Sequence, residues 1–432
     1  MRQAGESCVR NAFFQKKCCF LPYFRDPDMP KVLRILNRLI VGGPVLNATY
    51  LTKYLAPEFE TLLVVGEKEA HEKSAGYLAS QLGIDYLTVP EMGRSISPLK
   101  DFQAYQKLKK IIKEYKPDVV HTHAAKPGAL GRLAAAACGV PAIVHTYHGH
   151  VFHSYFNKFT SGIYINAERF LASRSSAIIA ISEAQKKELC EDFKIAPLHK
   201  FRVIQLGLDL DKFKHNIVEK RQNLRAEFGL EEDVIAIGII GRLVPVKNHG
   251  LFLKALHHVL QNTTKKVKAF VIGDGETRAE LESKAGQLGI KYTTETDSSH
   301  PHPLVFTSWR SDVDTINAGL DIVTLTSFNE GTPVSLIEAQ AANKPIVSTR
   351  VGGIGDIVLE GQTALLANVD DQDGFCRQLL QLVEDDTLRY KLGSNSCPYV
   401  MQRFSYQRLM ADMTGLYYDL LSRKVTANAV LR

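Results

Sequence analysis

Two carboxylates eight positions apart, Glu330 and Glu338, bracket the segment Asn329-Glu330-Gly331-Thr332-Pro333-Val334-Ser335-Leu336-Ile337-Glu338. The apolar run before it, Asp321-Ile322-Val323-Thr324-Leu325-Thr326, predicts a buried parallel strand. Thr332 is a suitable N-cap and Pro333 a suitable first helical residue, so a helix is expected to begin there. Unpaired N–H groups at such a helix start, beside Gly331, suit a phosphate. Glu330 in the loop and Glu338 two turns into the helix would then reach a sugar on one side of the phosphate and a ribose on the other. That is the chemistry of holding a nucleotide-sugar.

Cations are needed to complete this site. Gly241-Arg242-Leu243-Val244-Pro245-Val246-Lys247-Asn248 follows another expected strand and sets Arg242 and Lys247 in a strand-to-helix loop, with Asn248 as a cap for the next helix. Together with the helix start they would neutralise a diphosphate and stabilise it as a leaving group; a solvated loop is the plainer alternative. Gly273-Asp274-Gly275-Glu276 repeats the strand–loop–helix logic with a tight glycine turn. Phe306-Thr307-Ser308-Trp309-Arg310 holds the single tryptophan, and a base would lie against Trp309 or Arg310, unless Trp309 simply packs between loop and helix. Gly42-Gly43-Pro44 opens a further helix and offers another phosphate contact. In His145-Thr146-Tyr147-His148-Gly149-His150-Val151-Phe152-His153, four histidines fall within nine residues. Their spacing does not match a usual zinc site and no carboxylate or thiolate joins them, so no metal is expected. Hydrogen bonding to a hydroxyl-rich substrate from strand ends facing a cleft explains them better.

The elements that must position these groups alternate regularly from Met29 onward. Strands are expected at 31–36, 61–65, 86–89, 119–122, 142–145, 177–180 and 202–204, with helices ending near Tyr54 and spanning 98–115 and 129–138. A second series is expected at 234–240, 269–273, 304–306, 322–325 and 345–348. This predicts an α/β chain of two Rossmann-like, doubly wound domains facing across a cleft, with ligands at the strands' carboxyl ends. The expected bounds are 29–208 for the first domain, 209–395 for the second, and 396–424 for a closing helix or helices. Residues 1–28, where Cys8, Cys18 and Cys19 lie among Phe13, Phe14, Phe20 and Phe24, read as a disordered extension or a misassigned start.

At 432 residues the chain is too long for one core, and 45% apolar with 23% charged residues is the composition of an ordinary globular protein. No stretch suits a bilayer span. Seven scattered cysteines point to a reduced, cytoplasmic protein. Residues 1–200 carry 27 basic and 18 acidic side chains and the remainder 26 and 28, an asymmetry that fits either an anionic membrane partner or a solvated basic face.

Taken in order, these motifs resemble a bacterial-type glycosyltransferase of family 4, with the GT-B fold, over residues 29–424. The most specific stretch is Asn329 to Glu338 (E-x7-E), continuing through Ala339-Gln340-Ala341 to Val351-Gly352-Gly353. The resemblance implies metal-independent, retaining transfer of a sugar, most simply from a UDP-sugar. Arg242 and Lys247 would bind the donor diphosphate, Glu330 the donor sugar, Glu338 the ribose, and the amides of Gly331, Thr332 and Val334 the phosphates. Gly43 would approach the diphosphate from the first domain, and His148 would meet the reacting sugar. His121-Thr122-His123 with Lys126 is similar to the subgroup that builds surface polysaccharides, including lipopolysaccharide, and lipid-linked glycans, implying a glycan or polyprenyl-linked acceptor, no nucleic acid, and work at the inner face of the cell membrane. Leu206-Gly207-Leu208-Asp209 stands where the family has Asn-Gly-Val-Asp, which removes the acceptor-side contact of that Asn, and Ser308 stands where a glycine is common, which predicts a differently seated base loop. A nucleotide-sugar 2-epimerase of similar architecture is the alternative activity.

Overall fold

The computed structural model describes residues 29–40, 42–69, 74–93, 95–148, 158–294 and 301–430. Residues 1–28, and His150 and His153 of the histidine run, lie outside the described residues. The first sheet comprises β1 (Lys31–Leu36), β2 (Glu60–Gly66), β3 (Tyr86–Val89), β4 (Val119–His123), β5 (Ala142–Tyr147), β6 (Ala177–Ala180) and β7 (Phe201–Val203), in the order β3-β2-β1-β4-β5-β6-β7. The second comprises β8 (Ile235–Ile240), β9 (Val267–Ile272), β10 (Tyr292–Thr293), β11 (Leu304–Ser308), β12 (Ile322–Leu325), β13 (Ile346–Thr349) and β14 (Ala364–Ala367), in the order β10-β11-β9-β8-β12-β13-β14. Every strand pairing in both is parallel.

Such sheets must be covered on both faces, and β1 shows how. Val32 packs with Leu51, Leu55 and Leu409 on one side, while Leu33 and Ile35 pack with Leu108 and Ala134 on the other. The strand order reverses between β1 and β4 in the first sheet and between β8 and β12 in the second. At these reversals adjacent loops leave the sheet toward opposite faces and open a crevice at the carboxyl ends. β4 ends at His123, the helix after β1 begins at Gly43, and the loops after β8 and β12 carry Lys247 and Glu330.

The helix expected from Ala129 begins at Ala125 and runs to Ala137, taking Pro127 into its first turn, where a missing N–H is tolerated. At the C-terminal end, the helix Ser396–Phe404 stays with the second domain, against the helix Val334–Ala341. The chain then crosses back: Leu208 N–H donates to Phe404 O at 2.8 Å and Tyr406 N–H to Leu208 O at 3.0 Å. The helix Tyr406–Val430 packs Leu409, Met413, Leu416 and Tyr417 into the first domain's core. Among the described residues no helix is long and apolar enough to cross a membrane.

Tyr417 is fully buried, its hydroxyl 2.7 Å from His121 Nδ1 and 3.4 Å from Arg34 Nη2. Tyr417→Phe leaves both groups buried without that partner and is expected to cost about 1–3 kcal/mol. Urea unfolding checks this, and an unchanged midpoint would show that the phenol contributes nothing.

Candidate active site

The β8 and β12 loops are knitted together. Lys247 ends the turn Pro245–Lys247, and its Nζ donates to Glu330 Oε1 at 2.5 Å. Ser327 Oγ donates to the same oxygen at 2.5 Å. Thr326 Oγ1 donates to Lys247 O at 3.0 Å, and Phe328 N–H to Val246 O at 2.8 Å. The Lys247 and Glu330 side chains retain only 19% and 9% exposure, so their charges attract through little water. Asn248 stands at the N-cap position of the next helix in a left-handed conformation (φ 48°), without the side-chain cap expected of it. Arg242 is exposed in the same loop.

The helix after Glu330 starts one residue later than expected. It spans Val334–Ala341 with Pro333 at the N-cap, and no side chain caps it, so Thr332 lies before the helix instead of capping it. The fixed φ of Pro333 suits the cap position as well as the first turn. Leu336 N–H donates to Pro333 O at 3.2 Å, while the amides of Val334 and Ser335 precede the first helical acceptor, which leaves them for a ligand. Glycines in the β13 loop brace this segment from behind. Gly353 N–H donates to Glu330 O at 3.0 Å, and a Cβ on Gly353 would fall 1.8 Å from Gly331 O. Gly353→Ala must therefore displace the Glu330–Gly331 backbone, at a cost of about 1–3 kcal/mol. Turnover should fall along with the melting temperature, and an alanine variant matching the parent in both would remove this bracing role.

The first domain closes onto that helix start. Gly43 opens the helix Gly43–Tyr54, and a Cβ there would sit 3.6 Å from Val334 Cγ2. From Gly331 the same construction reaches His148 O at 3.7 Å. Gly43, His148, Gly331 and Val334 thus meet across the cleft.

The histidines divide into two groups. His121 and His145 are buried in the core and are bonded to Tyr417 and Thr146 (2.7 Å each) and to Thr122 (2.8 Å), so they do not face a substrate as expected. His148 Nε2 lies 2.9 Å from His123 Nδ1, and the rings stack at 5.2 Å. The remaining nitrogens, His148 Nδ1 and His123 Nε2, have no hydrogen-bond partner among the described residues. Burial pushes His148 down to about 4 and His123 well below its ordinary value, with neighbouring imidazoles and Arg34 adding to the effect on His123. Both rings are neutral at neutral pH and serve as hydrogen-bonding groups.

Glu338, half-buried, accepts no hydrogen bond among the described residues. Burial pushes its carboxyl up to about 7, with Lys212 pulling it down and Asp314 raising it. On the other side of β8, Gly273 holds φ 142°, and a Cβ there would strike Gly241 O at 1.9 Å, so only glycine lets these two loops touch. Asp274 accepts from Gly275 N–H and Ser308 Oγ, each at 2.8 Å, and so ties the base loop inward, while Glu276 is exposed. Ser308 takes the left-handed backbone (φ 64°) that a glycine would supply. Arg310 is engaged by Glu227 and Asp312 (2.9 and 2.7 Å from Nη2), so it anchors the loop and is not left to meet a base. Trp309 is half-buried beside it. Ser327 belongs to no local pattern in the sequence, and His123, legible only within the His121-Thr122-His123 motif, gains its contact with His148 through strand adjacency.

Comparison with known proteins fits this geometry. The model for "Glycosyltransferase Family 4" matches residues 41–212 and that for "Glycosyl transferases group 1" residues 220–397, one per domain. The chain is 31% identical over 338 residues, 78% of itself and 84% of the relative, to an Escherichia coli UDP-Gal:alpha-D-GlcNAc-diphosphoundecaprenol alpha-1,3-galactosyltransferase. It is 24% identical to a D-inositol 3-phosphate glycosyltransferase of Corynebacterium glutamicum, over 71% of this chain and 73% of that one. In fold it is similar to Anabaena HepE, crystallised with UDP and glucose (TM-score 0.74, 20% identity, 90% of this chain and all of that one). WaaG, a glycosyltransferase involved in lipopolysaccharide biosynthesis, has a TM-score of 0.66 at 16% identity over 88% of this chain and 98% of its own. One family model on each lobe and a relative that shares nearly a third of its residues across most of both chains place this protein among the family 4 glycosyltransferases of GT-B fold.

Proposed function

We propose that the protein moves the sugar of a UDP-sugar onto a lipid-linked glycan acceptor, with retention of configuration and without a metal, at the cytoplasmic face of the membrane. The observation that carries this reading is the Lys247–Glu330 pair, held on the reversal loops of the second sheet where the first domain brings up Gly43 and His148. The E. coli relative is named for a UDP-sugar donor and a polyprenyl diphosphate acceptor, which supports the choice of both.

In this reading the bond between the anomeric carbon and the phosphate oxygen breaks as the acceptor oxygen approaches on the same side. The acceptor proton passes to the departing phosphate oxygen, so no protein base is required. Lys247, Arg242 and the amides at Val334–Ala341 draw off the charge developing on UDP. Glu330, oriented by Lys247 and Ser327, receives sugar hydroxyls. His148 Nδ1, without a hydrogen-bond partner among the described residues, bonds a donor hydroxyl. Glu338 accepts from the ribose, and the base lies toward Trp309.

Radiolabelled UDP-sugars with a polyprenyl diphosphate-linked acceptor test the reading. Labelled lipid product and free UDP are expected, and turnover should be unaltered by EDTA. Failure to bind or turn over any UDP-, GDP- or ADP-sugar would refute it, and a loss in EDTA that metal restores would refute the metal-free part. An NMR time course on UDP-GlcNAc without acceptor should show no change at C2, which separates transfer from epimerisation.

A further inference from the structure

The helix Pro98–Tyr115 buries Ala104, Leu108 and Ile112, one helical turn apart. A second stripe on it, Phe102, Tyr105, Lys109 and Lys113, follows the i, i+3, i+7, i+11 spacing of another face. Phe102 and Tyr105 of this stripe line a cavity of about 540 Å³ together with Leu130, Leu133, Phe170 and Arg174, and Lys109 and Lys113 continue the stripe beyond it. Phe102 and Phe170 are 58% and 51% exposed, and just upstream Leu99 and Ile96 are 69% and 72% exposed. An apolar groove with two aromatic rings standing in water at its rim and two exposed aliphatic side chains just upstream is a surface built to be covered.

Charge indicates what covers it. The helix Pro98–Tyr115 has five lysines and two acidic residues. One of those acids, Asp101, is already neutralised by Lys126 at 2.5 Å. Across the groove, Arg174 lies over the Phe170 ring at 3.6 Å. Apolar side chains ringed by cations match an acidic lipid surface, whose headgroups meet the cations while the aromatic and aliphatic tips enter the acyl boundary.

We propose that this face, formed by the helices Pro98–Tyr115 and Lys158–Ser173 with the groove between them, docks on an acidic phospholipid bilayer. The inference deepens the lipid-linked-acceptor reading and rests on it for its purpose, though its physical basis is independent. Docking here brings the cleft to the headgroups. The most exposed apolar residues of this face, Ile96 and Leu99, lie in the loop after β3 and the first turn of Pro98–Tyr115, at the carboxyl end of the sheet. Lys126 ties that loop down, donating to Ser95 O at 2.6 Å, and stands three residues beyond His123.

Sedimentation with phosphatidylcholine vesicles, with and without phosphatidylglycerol, tests the proposal on the full chain. The parent protein should bind only the acidic vesicles, and less as salt rises. Phe102→Ser with Phe170→Ser, and separately Lys109→Glu with Lys113→Glu, should each weaken binding roughly tenfold or more. These positions lie on the surface, so melting temperature and turnover on a water-soluble acceptor should stay at parental values. Absence of binding to acidic vesicles overturns the proposal, as do both double variants binding like the parent. Parental self-association that the aromatic variant abolishes would assign the groove to a second copy of the chain and overturn it equally. Vesicle binding that obeys the charge series in a protein inactive on every donor would sustain the surface and sink the transferase reading instead.

Discussion

Lys247→Ala is expected to lower kcat for sugar transfer by about 10²–10³-fold, the loss typical of removing one donor from a preorganised anion site. Lys247 Nζ does two things that a surface lysine does not: it holds Glu330 by charge, and it stands on the loop where the strand order reverses. Truncation leaves the Glu330 carboxylate, already bonded to Ser327, without its counter-charge in a site that is 9% exposed. The single variant should therefore also lose stability, and this separates its structural effect from its chemical one. Adding Glu330→Gln to Lys247→Ala removes the orphaned charge and should restore much of the melting temperature while leaving turnover low. The two activity losses should not add, because the residues work as one unit. Steady-state kinetics and melting curves on the two single variants and the double variant complete the cycle. A Lys247→Ala enzyme within threefold of the parent in kcat would show that diphosphate departure does not depend on this cation.

Much of this could be read before the fold was known, for a local reason. Ile322–Leu325 was expected as a strand at the residues where it occurs, because a buried parallel strand is a continuous apolar run closed by turn residues. Ala364–Ala367 was missed for the converse reason: Ala-Leu-Leu-Ala has no β-branched residue and suits a helix equally well. The two-residue strand Tyr292–Thr293 leaves no period to detect. At the site, the residue types were legible and their pairings were not. Lys247 and Glu330 are 83 positions apart, and His121 and Tyr417 are 296 apart, so each contact exists only through strand order and through the return of the last helix to the first domain. The division of the histidines follows the same logic. Spacing gathered them near strand ends, but whether a ring turns to Tyr417 in the core or to the cleft depends on which elements pack behind it. Arg310 was read as a ligand because Glu227, its carboxylate partner, lies in another element 83 positions away.

Glu338→Gln is expected to stabilise the donor-free protein above about pH 7 and to weaken UDP at the same time. The free carboxyl belongs to an ordinary acid of 4.5 in the unfolded chain and is pushed up to about 7 in the fold, chiefly by burial. Between those values the folded chain holds a proton that the unfolded chain has released. The favourable contribution is therefore complete below about 4.5 and is lost as pH rises toward about 7, beyond which a buried anion must be tolerated. Glutamine escapes that penalty, so its advantage in melting temperature should be largest near pH 8 and vanish near pH 4.5. Ligand binding reverses the preference. Two ribose hydroxyls donating to the carboxylate favour its charged form, so UDP should bind more tightly as pH rises through 7 and release a proton on binding near neutrality. Calorimetry in buffers of different ionisation enthalpy reads that proton directly. Glu338→Gln should flatten the pH dependence and abolish the proton release, while Glu338→Ala, which removes both acceptor oxygens, should weaken UDP by about 10²-fold. A Glu338→Gln protein that melts with the parent at every pH and still releases a proton on binding UDP would mean that the carboxylate faces neither burial nor ribose. The residue then costs the empty enzyme stability for the sake of a hydrogen-bond acceptor that the donor satisfies, which explains a buried carboxyl with no hydrogen-bond donor among the described residues.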